Sequence, residues 1–485
     1  MVPFHVVQKR EILVRVIRAF MGKNFGEDVA AIAGQIGSDG NDATSDCRAD
    51  RRDSIRRELV MVSLGIRGNR QGDTPLSQLA ESALQMECPD ENVLSVVKCA
   101  CNGCDSHMRV TNVCQNCPAK PCIHSCKFGS IRSTDGGSVI DSATCKKCGL
   151  CLRACPYGAI VKTVIPCESV CPVKAISKDA NGLAEVDFDR CIGCGKCIGA
   201  CPFGAIHAKS QVINVLQAIK TGKKVVALVA PSIFGQFKCS PEQLHSAIKK
   251  AGFSLVYEVS VGAESTSTVE AEELRERLER GDKFMTSSCC AAYNALVDKH
   301  IGELKPFVST AGTPLFYTAE LVRDEHSDAV LVFVSPCLAK YREAFMNEKI
   351  SYAINFEELY AIFDAMSIDV EAGEGEIFDR PSAKEAKEFG ISGGVATAVL
   401  SAYNGDRDRI KVAIIDGIDA KVVGDLKRFG KTGECDVGNM LEVMSCTGGC
   451  IGGAMALCPL KASKEQIKNY AEKSESLDPS KKNIP

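Results

Sequence analysis

The sequence predicts a multidomain protein of mixed α+β and α/β class in three parts. These are a helical region over residues 1–95, a cysteine-rich part over 96–210, and an α/β part over 211–485 with mostly parallel sheets. Three observations predict it. Seventeen of the 27 cysteines in this 485-residue chain lie between Cys99 and Cys201, which sets the middle part off from both flanks. Ahead of that block, apolar positions recur at helical spacing. Behind it, short apolar runs alternate with charged helical stretches, the pattern of a parallel sheet covered on both faces. A chain of this length buries a core without disulfide staples.

In the first part, EILVRVIRAF (11–20) and IRRELVMVSL (55–64) read as helices, with GSDGNDATSD (37–46) as a loop between them. Cys47 and Cys88 are expected to be plain thiols. Lys9, Arg10, Arg15 and Arg18 interrupt the first twenty residues, so no secretory signal is read there. No apolar run reaches the roughly 18 residues of a membrane span. The expectation is a reducing, cytoplasmic setting in which cysteines serve as metal ligands or redox groups. A net charge of -3 points to neither nucleic acid nor an anionic membrane as a partner of the whole chain.

The middle part carries an internal repeat: CKFGSI at Cys126, CPYGAI at Cys155, CPVKAI at Cys171 and CPFGAI at Cys201. Two repeats have a full C-x2-C-x2-C-x3-C-P run, Cys145, Cys148, Cys151, Cys155 and Cys191, Cys194, Cys197, Cys201. A third, Cys114, Cys117, Cys122, Cys126, has a wider last gap but one. Two-residue gaps bring successive thiolates onto three irons of one cubane, and the fourth cysteine turns to the neighbouring cluster, as in two-cluster ferredoxins. Paired CxxC motifs also build zinc sites, but not usually as tandem four-cysteine runs ending in Pro. The repeat at Cys167 and Cys171 lacks two cysteines, and Cys101-x2-Cys104 lies upstream. The spacing therefore predicts one ferredoxin-like domain nested in another, with four 4Fe–4S clusters. The inner pair would be Cys114, Cys117, Cys122 with Cys155, and Cys145, Cys148, Cys151 with Cys126. The outer pair would be Cys191, Cys194, Cys197 with Cys171, and Cys101, Cys104, Cys167 with Cys201. Cys99 is left over. If Cys99, Cys101 and Cys104 are unligated, the count falls to three or two. His107 and His124 are expected to be bystanders. Several clusters in a small domain form an electron relay, and its destination must lie in the remaining chain.

In the last part, VVALVAPS, AVLVFVSPC and VAIIDG read as short buried strands. Three cysteine segments stand among them: TSSCCAAY with Cys289 and Cys290, VSPCLAK with Cys337 and Lys340, and EVMSCTGGCIGG with Cys446 and Cys450. Cys446 and Cys450 are four apart, which suits one face of a helical turn. Cys337 follows a strand, at the edge where open α/β sheets bind ligands. Cys239, Cys435 and Cys458 have no partner in the pattern and are expected to be plain thiols. There is no GxGxxG or GxxxxGK[ST] phosphate loop, so no built-in NAD or ATP site is expected.

These three segments resemble the signature motifs of the iron-only (FeFe) hydrogenases, TSCCP, MPCxxK and MACxxGCxxGG, and the upstream helices resemble a branch of that family called group B. The resemblance implies a two-lobed α/β catalytic domain. It implies that Cys290, Cys337, Cys446 and Cys450 hold a 4Fe–4S cubane. Cys450 would bridge it to a two-iron subcluster carrying CO, cyanide and an azadithiolate, the whole being the H-cluster. Three to four accessory 4Fe–4S clusters would feed it. Cys289 would pass protons, and Lys340 would hydrogen-bond a cyanide, an ammonium suiting a buried anion. Pro231, Ser232, Ser335 and Met444 would line the cofactor. GAESTSTVEAEEL (262–274) is similar to the family's GADLTxxEEAxEL, so Glu270, Glu273 and Ser309 would form the proton path with Arg277 and Glu343 as outer members. By itself EAEELRERLER reads as a solvated helix with i,i+4 charge pairs. The implied activity is interconversion of H2 with protons and electrons. The implied partners are a ferredoxin or similar low-potential carrier and the hydrogenase maturation proteins. Two other functions share these motifs. Hydrogen sensors replace the relay thiol and add a C-terminal signalling domain, whereas here Cys289 is kept and the chain ends soon after the third motif. Iron–sulfur assembly factors of the hydrogenase-like kind keep the cubane ligands but lack the relay cysteine. Departures from the family pattern are Ala291 for Pro, Tyr293 for Trp, Ser335 for Met, and GGAMALCP in place of GGGQP. They leave every ligand in place and bear on rate, direction and oxygen tolerance.

Overall fold

A computed structural model describes residues 4–35, 47–67, 74–86, 92–373, 375, 376, 378 and 380–477. The loop expected over 37–46, Cys88, and the side chain of Cys47 lie outside the described residues. The first part is helical as expected, with α1 (Phe4–Met21), α2 (Phe25–Gln35), α3 (Cys47–Ser63) and α4 (Leu76–Leu84). The apolar stripe of α1, Ile12, Leu13, Val16, Ile17 and Phe20, is fully buried. Its polar side meets the later helix Phe356–Ala365, where Arg18 reaches Asp364 at 3.1 Å and the Arg10 guanidinium lies 4.6 Å above the Tyr360 ring. The N-terminal helices thus brace the α/β part rather than standing apart.

The cysteine-rich part has eight short strands: β1 (Leu94–Val96), β2 (Met108–Val110), β3 (Ile131–Thr134), β4 (Gly137–Ile140), β5 (Ile160–Lys162), β6 (Ile176–Lys178), β7 (Ala184–Val186) and β8 (Ile206–Ala208). Their antiparallel pairing is nested. Leu94 faces Ala208 across β1 and β8, and β6 pairs with β7. Inside that unit β2 pairs with β5, and β3 with β4. The boundary expected at 95/96 falls within β1. Extended pairing with residues 206–208 draws Leu94 and Ser95 into the iron–sulfur unit, which helical periodicity further upstream does not reveal.

The α/β part contains β9 (Val225–Val229), β10 (Leu255–Glu258), β11 (Met285–Thr286), β12 (Val330–Val334), β13 (Tyr352–Ile354), β14 (Val412–Asp416) and β15 (Met440–Met444). They form two wholly parallel sheets, in the orders β10-β9-β12-β13 and β11-β15-β14, one per lobe. Every side chain of β9 and β15 is buried. VAIIDG, expected as a buried strand, is instead the edge strand β14, with Ile414 49% exposed. An edge position leaves one side uncovered, so apolar composition overstates burial there.

Candidate functional site

The two lobes bring the three cysteine segments together. Cys290 and Cys337 each occupy the residue before a helix, Ala291–His300 and Leu338–Met346. Helix N-termini carry partial positive charge and favour thiolate. Ser335 Oγ accepts from the Cys337 amide at 3.3 Å, holding that turn. Cys446 follows β15. The helical turn expected over Cys446–Cys450 is not formed. Gly448 and Gly449 both have φ near +85°, and the chain continues as a short 3-10 turn, Cys450–Gly452. A Cβ on Gly449 would stand 2.6 Å from the Ser392 amide nitrogen, so only glycine permits this close turn.

The sulfurs of this group are mutual neighbours. Burial pushes the Cys450 thiol up to about 12, with Cys337 and Cys290 adding to the rise. Burial also raises Cys446, with Cys337, Cys290, Cys450 and then Cys194 adding. These four partly covered cysteines, with thiols raised by desolvation, ionise together only if bound metal takes up their charge, so the donor chemistry fits an iron–sulfur cubane. Among the described residues, no three His, Cys, Asp or Glu side chains close on one point as a single ion demands. A cubane takes each thiolate on a separate iron.

Lys340 lies largely covered beside this group. Burial alone lowers its pKa, but Glu343, 2.6 Å away, and the thiols of Cys337 and Cys289 outweigh that and hold the ammonium charged. Ser232, fully buried in the 3-10 turn Pro231–Gly235, has a hydroxyl with no partner within the protein. Pro231 has no N–H to offer, so of this pair only Ser232 can donate. Met444 ends β15 in the same apolar cluster as Cys289. The charged Lys340, the orphaned Ser232 hydroxyl and the apolar Met444 suit a group with anionic, apolar-sheathed ligands.

Cys289 is buried. Burial raises its thiol well above the ordinary value, and Glu270 is the largest charged contributor. Glu270 lies on the helix Ser260–Arg280 and is fully buried, although its run reads as a solvated surface. Its Oε1 accepts from the Ser288 amide (2.8 Å) and hydroxyl (3.0 Å), while Oε2 has no partner. Burial pushes its pKa up to about 7. Further out, Ser309 Oγ donates to Glu273 Oε2 at 2.7 Å. Arg277 grips Glu273 Oε1 through Nε (2.9 Å) and Nη2 (2.6 Å), and donates to the carbonyls of Pro306 and Val308. Glu343 does not extend this line. Its carboxylate is taken by Lys340 and the Thr313 hydroxyl on another wall of the site, and helix geometry three residues from Lys340 explains why.

The accessory cysteines also sort into sets. Burial raises Cys197, with Cys194, Cys191 and Cys171 adding. Burial raises Cys167, with Cys201 adding, and Cys101 and Cys104 pack in the same core. Burial raises Cys151, with Cys145 and Cys126 adding. Cys148 stands in the loop between Cys145 and Cys151. Cys114, Cys117, Cys122 and Cys155 line one small cavity. Cys99 stands apart, its thiol donating to Glu58 at 3.4 Å. That contact between α3 and the cysteine-rich part has no sequence signal. His107 Nε2 is buried without a partner.

Residues 223–454 match the family described as iron only hydrogenase large subunit, C-terminal domain. Residues 162–212 match an Fe–S cluster-binding domain of the LdpA type, and 138–161 a 4Fe–4S binding domain. The NADP-reducing hydrogenase subunit HndD of Solidesulfovibrio fructosivorans is 29% identical over 64% of this chain and 55% of its own length. The periplasmic [Fe] hydrogenase large subunit of Nitratidesulfovibrio vulgaris is 27% identical over 66% of this chain and 86% of its own. Iron hydrogenase 1 of Clostridium pasteurianum is 25% identical over 54% and 55%. The chain thus spans about half the length of two of these relatives. A solved [FeFe]-hydrogenase, 20% identical, aligns with a TM-score of 0.44 over 54% of this chain and 90% of that one. One relative is periplasmic, and among the described residues no helix is long and apolar enough to cross a membrane. With that large-subunit domain following iron–sulfur-binding segments, the chain is an FeFe hydrogenase-like protein.

Proposed function

We propose that this chain interconverts H2 with two protons and two electrons, passing the electrons through four accessory 4Fe–4S clusters to or from a low-potential carrier such as a ferredoxin. The observation that carries the reading is Cys289: a buried thiol adjoining Cys290, with the buried Glu270 held against its chain neighbour Ser288 and acting on it more strongly than any other charged group. A site that only assembled or stored a cluster has no need of that pair.

When bound, the H-cluster supplies the open metal position at which H2 is split heterolytically. The chain's own residues do the rest. Cys290, Cys337, Cys446 and Cys450 would hold the cubane. Lys340, kept charged by Glu343, and Ser232 would donate to its anionic ligands. Cys289 Sγ carries protons between the cofactor and Glu270 Oε2, which has no competing partner and, with a pKa of about 7, both takes and releases a proton near neutrality. Glu270 and Ser309 share no hydrogen bond, so a water or a side-chain rotation bridges them. Ser309 Oγ then leads to Glu273, which Arg277 holds in place. Electrons leave along another line, because the loop that carries Cys194 packs against Ala339 and Ala454, next to the segments of Cys337 and Cys450: a Cβ on Gly193 would stand 3.2 Å from Ala339 Cα and one on Gly195 2.6 Å from Ala454 Cβ. A dedicated maturation system is required to install the two-iron part, and a reducing compartment to keep the thiols free, which favours the cytoplasm.

The test is infrared spectroscopy of protein produced with the maturation enzymes, with H2 evolution from reduced methyl viologen measured on the same sample. Bands of metal-bound CO and cyanide with turnover are expected. Bands without turnover, with H2 uptake onto oxidised viologen also absent, would leave a sensor, and no bands an iron–sulfur protein of the assembly kind.

A further inference from the structure

The inserted iron–sulfur unit differs in charge from the rest of the chain. Residues 107–162 hold eight Lys and Arg against Asp135 and Asp141, a net charge of +6 in a chain that totals -3. The cations cluster around one cysteine set. Lys127 follows Cys126, Lys146 and Lys147 separate Cys145 from Cys148, and Arg153 lies just past Cys151. Lys127, Lys146 and Arg153 are exposed, whereas Lys147 is partly covered and faces Asp105 at 3.6 Å. Among these cations sit two exposed apolar side chains, Phe128 (50%) and Leu152 (38%). Cys148 is the one exposed cysteine among the described residues.

Resting on the redox reading above, we propose that this face is where the electron carrier docks, and that the carrier is an acidic one-electron protein. Three features converge. A rim of like charge steers an oppositely charged protein and makes association salt-dependent. An apolar centre within a charged rim is the usual anatomy of a transient interface. The exposed Cys148 brings a cluster's sulfur to the surface, so the gap an electron must cross is shortest here. Each encounter moves one electron: the carrier is oxidised by one and the cluster reduced by one. Two encounters supply the pair that leaves with two protons as H2, and the reverse sequence serves uptake. The Lys147–Asp105 contact places this set beside the residue after Cys104, on the border of the outer unit.

The experiment uses the full chain loaded with its accessory clusters but produced without the maturation enzymes, so that cluster reduction is read by visible absorbance independently of H2 chemistry. Stopped-flow mixing with a reduced, strongly acidic ferredoxin is compared between the native chain and K127E/K146E/R153E. The native second-order rate should fall with added salt. The variant should be slower by at least about tenfold at low salt, and its rate should rise with salt. Reduction by methyl viologen radical, a small cation, should not slow. If the charge-reversed chain loads less iron, K127Q/K146Q/R153Q should show a smaller loss in the same direction. Equal ferredoxin rates for native and variant chains would overturn the proposal. So would binding of this face to anionic lipid vesicles with carrier kinetics unchanged. Failure of the matured native chain to evolve H2 from reduced viologen would instead sink the redox reading while leaving the docking result standing.

Discussion

Glu270 is the residue at which burial alters chemistry most directly. Its unfolded value is near 4.5 and its folded value about 7, so the fold favours the protonated acid. That contribution to stability is complete below pH 4.5 and is lost as the pH rises through about 7. Glu270→Gln keeps the acceptor for Ser288 and removes the ionisation. The melting temperature of the variant should therefore gain on the native protein as pH rises from 5.5 to 7.5 and level off above that, a profile that differential scanning fluorimetry follows. The same change should cut H2 turnover by about two orders of magnitude or more, the usual scale for removing a proton-transfer group, with the CO and cyanide bands unmoved. Cys289→Ala should abolish turnover similarly while leaving iron content unchanged, because none of the four cubane cysteines is touched. Lost iron in that variant would show that Cys289 is structural. Neither residue's burial is legible locally. Cys289 is adjacent to Cys290 and is visible through its motif. Glu270 sits among Glu and Arg in a run whose local pattern is that of a solvated helix, and only the packing of other segments encloses it.

At the scale of elements, the helix Ser260–Arg280 owes its place to Gly262. A Cβ there would stand 2.1 Å from the Pro314 carbonyl oxygen, so the glycine allows the helix to press against Pro314–Glu325. Gly262→Ala should force the two helices apart and cost about 1–3 kcal/mol, seen as a lower denaturant midpoint together with loss of turnover as Glu270 is drawn from Cys289. The far end of the helix is held by Arg277, nearly buried, bridging Glu273 to the carbonyls of Pro306 and Val308. Arg277→Ala leaves Glu273 Oε1 and two carbonyls without their donor and should destabilise by about 3 kcal/mol. An unchanged denaturation midpoint would mean that water replaces the guanidinium without loss. The turn at Gly448 and Gly449 shows the opposite case: spacing of four suggested helix, but consecutive glycines at positive φ make a tighter path that apolar periodicity does not encode.

For the whole molecule, the nesting of one iron–sulfur unit within another has a direct consequence. The chain enters and leaves the inner unit side by side, with Ser106 Oγ donating to the Thr163 carbonyl at 3.0 Å. Residues 108–162 should therefore be removable with a short Gly linker, leaving the outer unit and both lobes folded. The shortened chain should bind about eight fewer iron atoms and keep H2 evolution from reduced viologen, which needs no protein docking. Collapse of the α/β part after the excision would show that the inner unit supports it.

The sequence by itself determined what depends on short-range pattern: the iron–sulfur units, because a cubane demands fixed gaps between thiolates, the parallel strands, because burial on both faces demands continuous apolar runs, and the cysteine segments of the α/β part, because they carry a recognisable motif. The nesting of β2–β5 inside β1–β8 also follows the order of the repeats. The tertiary structure decided what depends on distant segments meeting. It turned β14 into an edge strand, folded residues 94 and 95 into the iron–sulfur part, set Glu343 on Lys340 rather than on the Glu273–Arg277 line, and laid α1 along the helix Phe356–Ala365. Burial and charge pairing are properties of enclosed space, and that space exists only once elements far apart in the chain have packed together.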